Sequence, residues 1–138
     1  MKSGICNISI VPMRKEKSQK SEMISQLLYG ETFEILELSN NWSYIKMNFD
    51  NYEGWIKNNQ YLKIDQSEFK KIEEYIYCSD LVEFVESLDK KLKTIVMGSN
   101  VSNATILNDK FDGNFSNNKK KKKEAVEIAL SLINTPYL

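Results

Sequence analysis

The sequence predicts a mainly β protein that ends in one α-helix, and three observations carry that prediction. Short runs of β-branched and aromatic residues recur through the first 64 residues, with turn residues every ~8–12 positions, the rhythm of a small β-barrel. From Asp65 the pattern changes to one short helical segment followed by further strand-like runs. The last twenty residues join a lysine run to an amphipathic helical repeat. These shifts divide the 138 residues into segments 1–64, 65–118 and 119–138.

Taken in order, Ile5 to Met13 alternates and reaches Val11-Pro12, which fits a first strand leaving the sheet at the proline. Arg14 to Ser25 is polar and too poor in apolar residues for a core helix. It reads as a long exposed loop, and loops of that length in compact domains are often functional. Gln26 to Tyr29 is a short strand ended by Gly30. Thr32 to Leu38 carries apolar residues on both faces and reads as a central strand. Trp42 to Met47 and Tyr52 to Ile56 flank Asn48-Phe49-Asp50-Asn51, and Asp and Asn accept the positive φ of a tight turn, so the pair forms a hairpin. Gly54 directly before Trp55 marks a place where a neighbouring backbone or bulky ring comes close. Residue type alone assigns Trp55 to core packing. Lys57 to Tyr61 forms one helical turn before Leu62 to Ile64 closes the sheet.

Ser67 to Glu74 has a cap and helical spacing of Phe69 and Ile72. Tyr75 to Glu86 satisfies strand and helix patterns equally. Leu92 to Met97 is a strand stopped by Gly98, and Ala104–Leu107 with Phe111 and Phe115 around Asp112-Gly113 reads as a further hairpin. At the end, Val126, Ala129, Leu130 and Ile133 mark one face of a helix that must stop before Pro136. Lysines at a helix start oppose the macrodipole, so Lys119–Lys122 reads as a linker and the helix as ordered from about Lys123. The apolar Tyr137-Leu138 follows closely, and the end looks cut.

Composition excludes several functions. Basic and acidic residues balance at 19 each, so no overall field draws the chain to nucleic acid or membrane. By segment the side-chain charge is about +1, about −4 and about +3. The lysine run has no interleaved aromatic residues of the kind that stack on bases, so no nucleic-acid partner is expected. No apolar run approaches the roughly 20 residues of a membrane span. The N-terminus lacks the apolar core of a signal peptide, which gives a cytoplasmic reading; a chain from which such a signal had been trimmed would read the same. Cys6 and Cys78 are too few for a disulfide framework and have no CxxC spacing. With no histidine in the chain, a Cys–His nucleophile and a His-bearing zinc site are both excluded. No cofactor or metal is called for.

Val11-Pro12-Met13-Arg14, Ser21-Glu22-Met23-Ile24-Ser25-Gln26-Leu27-Leu28-Tyr29-Gly30-Glu31, Trp42-Ser43-Tyr44-Ile45 and Tyr52-Glu53-Gly54-Trp55-Ile56 resemble the first bacterial SH3-like domain of NlpC-type cell-wall peptidases. Those are papain-like enzymes that cut γ-D-glutamyl–diamino-acid bonds in peptidoglycan stem peptides. Ala129 to Leu138 resembles the opening of their catalytic domain, and the middle, around Ile95 to Ser99, resembles a second, divergent SH3-like domain. The resemblance implies two small SH3-like barrels in tandem (1–64 and 65–118), then a linker and the first helix of a papain-like domain whose nucleophile and histidine lie beyond Leu138. It implies a bacterial protein, in the periplasm if a signal was removed. It also implies a specificity or targeting role: holding the free amino group of the stem peptide's N-terminal L-Ala through an acidic residue, Glu22, and a tyrosine, Tyr52 or Tyr61. A carboxylate beside an ammonium with an aromatic hydroxyl is sound chemistry for requiring a free amine. The alternative is a stand-alone module for cell-wall peptides or a protein partner. A PxxP-binding module is disfavoured because the loop Arg14–Lys20 is mainly basic.

Overall fold

The computed structural model describes residues 2–69, 75–117 and 122–134. Its first part is one antiparallel sheet of β1 (Lys2–Ile5), β2 (Ile10–Arg14), β3 (Met23–Leu28), β4 (Thr32–Ser39), β5 (Trp42–Met47), β6 (Glu53–Lys57) and β7 (Leu62–Ile64), in the order β3-β2-β6-β5-β4-β1-β7. The expected hairpin is β5–β6, with Asn51 at φ 61 in its turn. The central strand is β4, flanked by β5 and β1. The expected first strand is split in two, because the chain leaves β1 at Cys6, where Cys6 and Gly30 tie the two turns by backbone hydrogen bonds.

A closed barrel was the expectation, and the hydrogen bonding is open instead, with β3 and β7 as edges. The weak seam is β2–β6, which pair only at Arg14. Pro12 lies in β2 just before that point and offers no N–H for a longer ladder. Bulges between Met13 and Arg14 and between Ile35 and Glu37 bend the sheet. Its concave face encloses Val11, Met13, Leu27, Phe33, Ile45 and Ile56, all fully buried. Gly54 is required there by a side chain: a Cβ at this position would stand 2.5 Å from Met13 Cγ.

Beyond Ile64 come α1 (Gln66–Phe69), β8 (Tyr77–Cys78), β9 (Val82–Ser87), β10 (Leu92–Val96), a 3-10 turn (Val101–Ala104), β11 (Asp109–Phe111), β12 (Phe115–Ser116) and α2 (Lys122–Ser131). The expected helix reaching Glu74 is seen as far as Phe69; residues 70–74 lie outside the described residues. The ambiguous Tyr75–Glu86 segment supplies two strands. This part forms a three-stranded sheet, β10-β9-β11, and a two-stranded one, β12-β8, rather than a second barrel. The expected hairpin between Phe111 and Phe115 does not form. Asp80 accepts hydrogen bonds from the Asn114 backbone and amide nitrogens (3.0 and 3.1 Å), which draws β12 onto β8. Ala104 ends a 3-10 turn capped by Asn100. Of the predicted helix face, Val126 and Leu130 on α2 and Ile133 in the turn after it are exposed. Lys119–Lys121 and Pro136–Leu138 lie outside the described residues.

The two parts share a core in one direction only. The first cluster of buried residues ends at Tyr61, whereas the second, Cys78, Val85, Ile95, Val101 and Ala104, is completed by Tyr29 from the first part. The Tyr29 hydroxyl donates to the buried Asp109 carboxylate at 2.6 Å, and Lys93 pairs with the same oxygen. Burial, reinforced by that bond, pushes the Tyr29 hydroxyl far above its ordinary value. Around it, Asn100 N–H donates to the Tyr29 carbonyl (2.8 Å) and the Asn103 amide to the Gly30 carbonyl (2.7 Å). Gly30 has φ +80, and a Cβ there would lie 1.9 Å from the Asn100 carbonyl oxygen.

Residues 1–65 expressed alone are therefore expected to unfold cooperatively in urea, and residues 66–138 alone to lack a cooperative transition. Tyr29→Phe in the whole chain should lower stability by about 1.5–3 kcal/mol, the range for a buried hydrogen bond to a charged group, measured by chemical denaturation. Unchanged stability in Tyr29→Phe would mean that the Tyr29–Asp109 bond does not hold the two parts together.

Candidate functional site

Strand alternation divides β6 between two surfaces. Gly54 and Ile56 face the core, so Trp55 faces outward, and its low exposure of 9% comes from a cover rather than from the core. Tyr44 lies opposite it on β5, with ring centroids 5.1 Å apart and planes tilted by 50°. The other side is covered by the loop 15–22. Lys17 Nζ stands 4.3 Å from the Trp55 ring centroid and is held by Glu37 (3.2 Å) and Ser39 (3.1 Å) on β4. A cation over an indole face is favourable by about 0.5–1 kcal/mol at such a partly exposed site. Trp55 is thus buried, as its residue type suggests, but it packs outside the main core cluster, against Tyr44 and the covering loop.

The loop itself is pinned at its base. Lys15 N–H donates to the Glu22 carbonyl (3.0 Å), Arg14 to the Ser21 carbonyl (3.0 Å), and Glu16 N–H to Ser21 Oγ (2.9 Å). On the same sheet face, Trp42 lies opposite Lys57, whose ammonium is 5.9 Å from the indole centroid. Pro12, Arg14, Gln19, Trp42, Lys57 and Gln60 line a small cleft of about 70 Å³ there. The Tyr44 hydroxyl is raised, by desolvation and then by the neighbouring Glu53 carboxylate, so it remains a hydrogen-bond donor. The result is an aromatic and basic surface with a polar loop laid over it. It can stack on apolar or planar groups and attract a carboxylate.

Of the three residues expected to hold an amine, Glu22 is at the end of this loop, exposed, with Lys15 at 3.7 Å. Tyr52 is half-exposed in the β5–β6 turn, where its N–H donates to Asp50 Oδ1 (2.9 Å). Tyr61 is a core residue, edge-on to Phe33 at 5.2 Å, with its hydroxyl 2.8 Å from Ser43 Oγ. No hydrogen bond joins the Glu22 side chain to either tyrosine among the described residues. Trp42, Tyr44, Lys57 and Lys17 were missed as site residues. The period-two pairing of Trp42-x-Tyr44 with Trp55-x-Lys57 across the hairpin was the available sign.

Cys6 and Cys78 are both buried and free. Burial raises both thiols, Cys6 from 9.0 to about 12, so neither is poised as a thiolate. Among the described residues, no three His, Cys, Asp or Glu side chains cluster for a metal, and no helix is long and apolar enough to cross a membrane.

Comparison with known families places this geometry. Residues 13–60, from the end of β2 to the turn after β6, match the family described as the bacterial dipeptidyl-peptidase SH3 domain. Residues 13–60 are thus similar to a bacterial SH3-type domain, one whose family description ties it to peptidases, and the loop-covered aromatic face falls within the match. No curated protein matches the chain.

Two outcomes test the site. Trp55→Ala should cost about 2–3 kcal/mol, less than the about 3–5 expected of a core tryptophan, and should speed amide exchange in residues 15–22. Unchanged exchange would detach the loop from Trp55. Because the Cys6 thiol is raised on folding, its contribution to stability is complete below pH 9 and is lost as pH rises toward about 12. Iodoacetamide at mildly alkaline pH should therefore label Cys6 only after unfolding.

Proposed function

We propose that the chain is the substrate-binding and targeting part of an NlpC-type endopeptidase acting on peptidoglycan stem peptides. The observation that carries this reading is the aromatic and basic face under the 15–22 loop, within a segment that matches a peptidase-associated SH3 domain. A γ-linked D-glutamate presents its α-carboxyl group beside the chain, and Arg14 and Lys57 in the cleft offer cations to it. Trp42 offers a flat surface to the peptide. Glu22, whose Lys15 partner is exposed and exchangeable, takes the amino group of the N-terminal L-Ala, with Tyr52 as the exposed tyrosine. Tyr61 supports the site by holding Ser43, which in turn donates to Asn58 at 2.6 Å. In this reading residues 65–118 form a second, divergent SH3-like domain, and the peptide bond is cut by a catalytic domain outside these 138 residues.

The test is titration of the whole chain with L-Ala-γ-D-Glu-diamino-acid tripeptide. Weak, saturable binding in the millimolar range is expected, with Lys57→Glu lowering affinity about tenfold or more. Glu22→Ala should erase any preference for the free over the N-acetylated tripeptide. Absence of binding, or an intact preference in Glu22→Ala, would overturn the assignment.

A further inference from the structure

A second pocket lies at the junction of the two parts, away from the loop-covered face. Glu31, Asn48, Phe49, Tyr75, Tyr77 and Asn100 line it, around a centre of about 10 Å³, the room of a single water-sized group. Its aromatic wall is continuous. Tyr75 stacks on Tyr77 with centroids 6.3 Å apart and planes within 16°, and Phe49 meets Tyr77 edge-on at 6.5 Å. Phe49 and Tyr75 are 63% and 42% exposed, a large aromatic surface left open by a fold that buries Phe33 and Tyr29 completely.

The polar wall is electron-rich. Glu31 is partly buried, and one of its oxygens accepts from Leu28 N–H at 2.8 Å. Its other oxygen has no hydrogen-bond partner among the described residues, and neither Glu31 nor Asp50 forms an ion pair there. Burial raises the Glu31 carboxyl, and the negative charge of Asp50 adds to that, while the Leu28 N–H lowers it. Asn48 spends its amide N–H on Thr32 Oγ1 at 2.8 Å, which leaves its carbonyl oxygen as a further acceptor. The pocket therefore combines a carboxylate with a spare oxygen, a neutral acceptor and three aromatic rings, and among the described residues no cation is paired with that carboxylate.

From these groups we infer that the pocket is a binding site for a primary ammonium group, such as an amino terminus or a lysine side chain. An ammonium donates to the free Glu31 oxygen and to Asn48 while lying against the aromatic wall. A neutral ligand would leave the carboxylate unpaired. The small enclosed space admits –NH3+ and crowds a trimethylated nitrogen. Nothing in this assignment depends on the stem-peptide reading, because it involves different residues and needs no peptide.

Propylammonium chloride is the probe, with 1-propanol and tetramethylammonium as controls, followed by amide chemical shifts of the whole chain. Saturable shifts at Gly30, Phe49 and Asn100 in the millimolar range are expected for propylammonium alone. Glu31→Gln keeps an acceptor for Leu28 N–H and should weaken binding about tenfold or more. Phe49→Ala, at an exposed ring, should weaken it several-fold and decides the matter if Glu31→Gln fails to fold. No saturation by about 0.1 M, equal shifts with propanol, tighter binding of tetramethylammonium, or affinity unchanged in the folded variants would each overturn the site.

Discussion

The structure depends on one turn, Tyr29-Gly30, driven into the second half of the molecule. Tyr29 completes a core made by Cys78 and residues still later in the chain, and it brings a hydroxyl to a carboxylate that would otherwise be buried with Lys93 alone. A buried charge needs partners with good geometry, and here one partner comes from each half. Gly30 permits the approach, because any side chain at that position would strike the Asn100 carbonyl. The junction pocket is a by-product of this docking. Bringing Asn100 and Tyr77 against Glu31 and the β5–β6 turn is what gathers its walls.

Legibility in the sequence followed the range of the forces involved. The β5–β6 hairpin was readable because its strands are adjacent, its alternation is regular and its turn residues are specific. The central position of β4 was readable from apolar residues on both faces. Sheet closure was not readable, since it turns on a single β2–β6 contact at Arg14 and on two bulges. The pairing of Phe115 with Cys78 rather than with Phe111 rests on Asp80 reaching Asn114, a contact across 34 positions with no local sign.

The candidate site was legible in place but not in detail. The polar loop was recognised from composition, and Glu22 does stand exposed at its end. What covers Trp55 could not be read, because Lys17 is an ordinary surface lysine until Glu37 and Ser39 fix it over the ring. Tyr61 looked equivalent to Tyr52 because both are tyrosines beside the same strand. Only the fold separates a hydroxyl engaged by Ser43 from one at the surface.

The one-way sharing of the core has a consequence during synthesis. A ribosome delivers the chain from its N-terminus, and domains form as their residues emerge. By Ile64 every strand of the large sheet has appeared, and its own core needs nothing further. Tyr29 and the Gly30 turn then stand on the nascent chain as a finished surface, before Asp109 has emerged. The later strands meet a template rather than having to find one another first, which shortens the search that contacts so distant in sequence would otherwise impose.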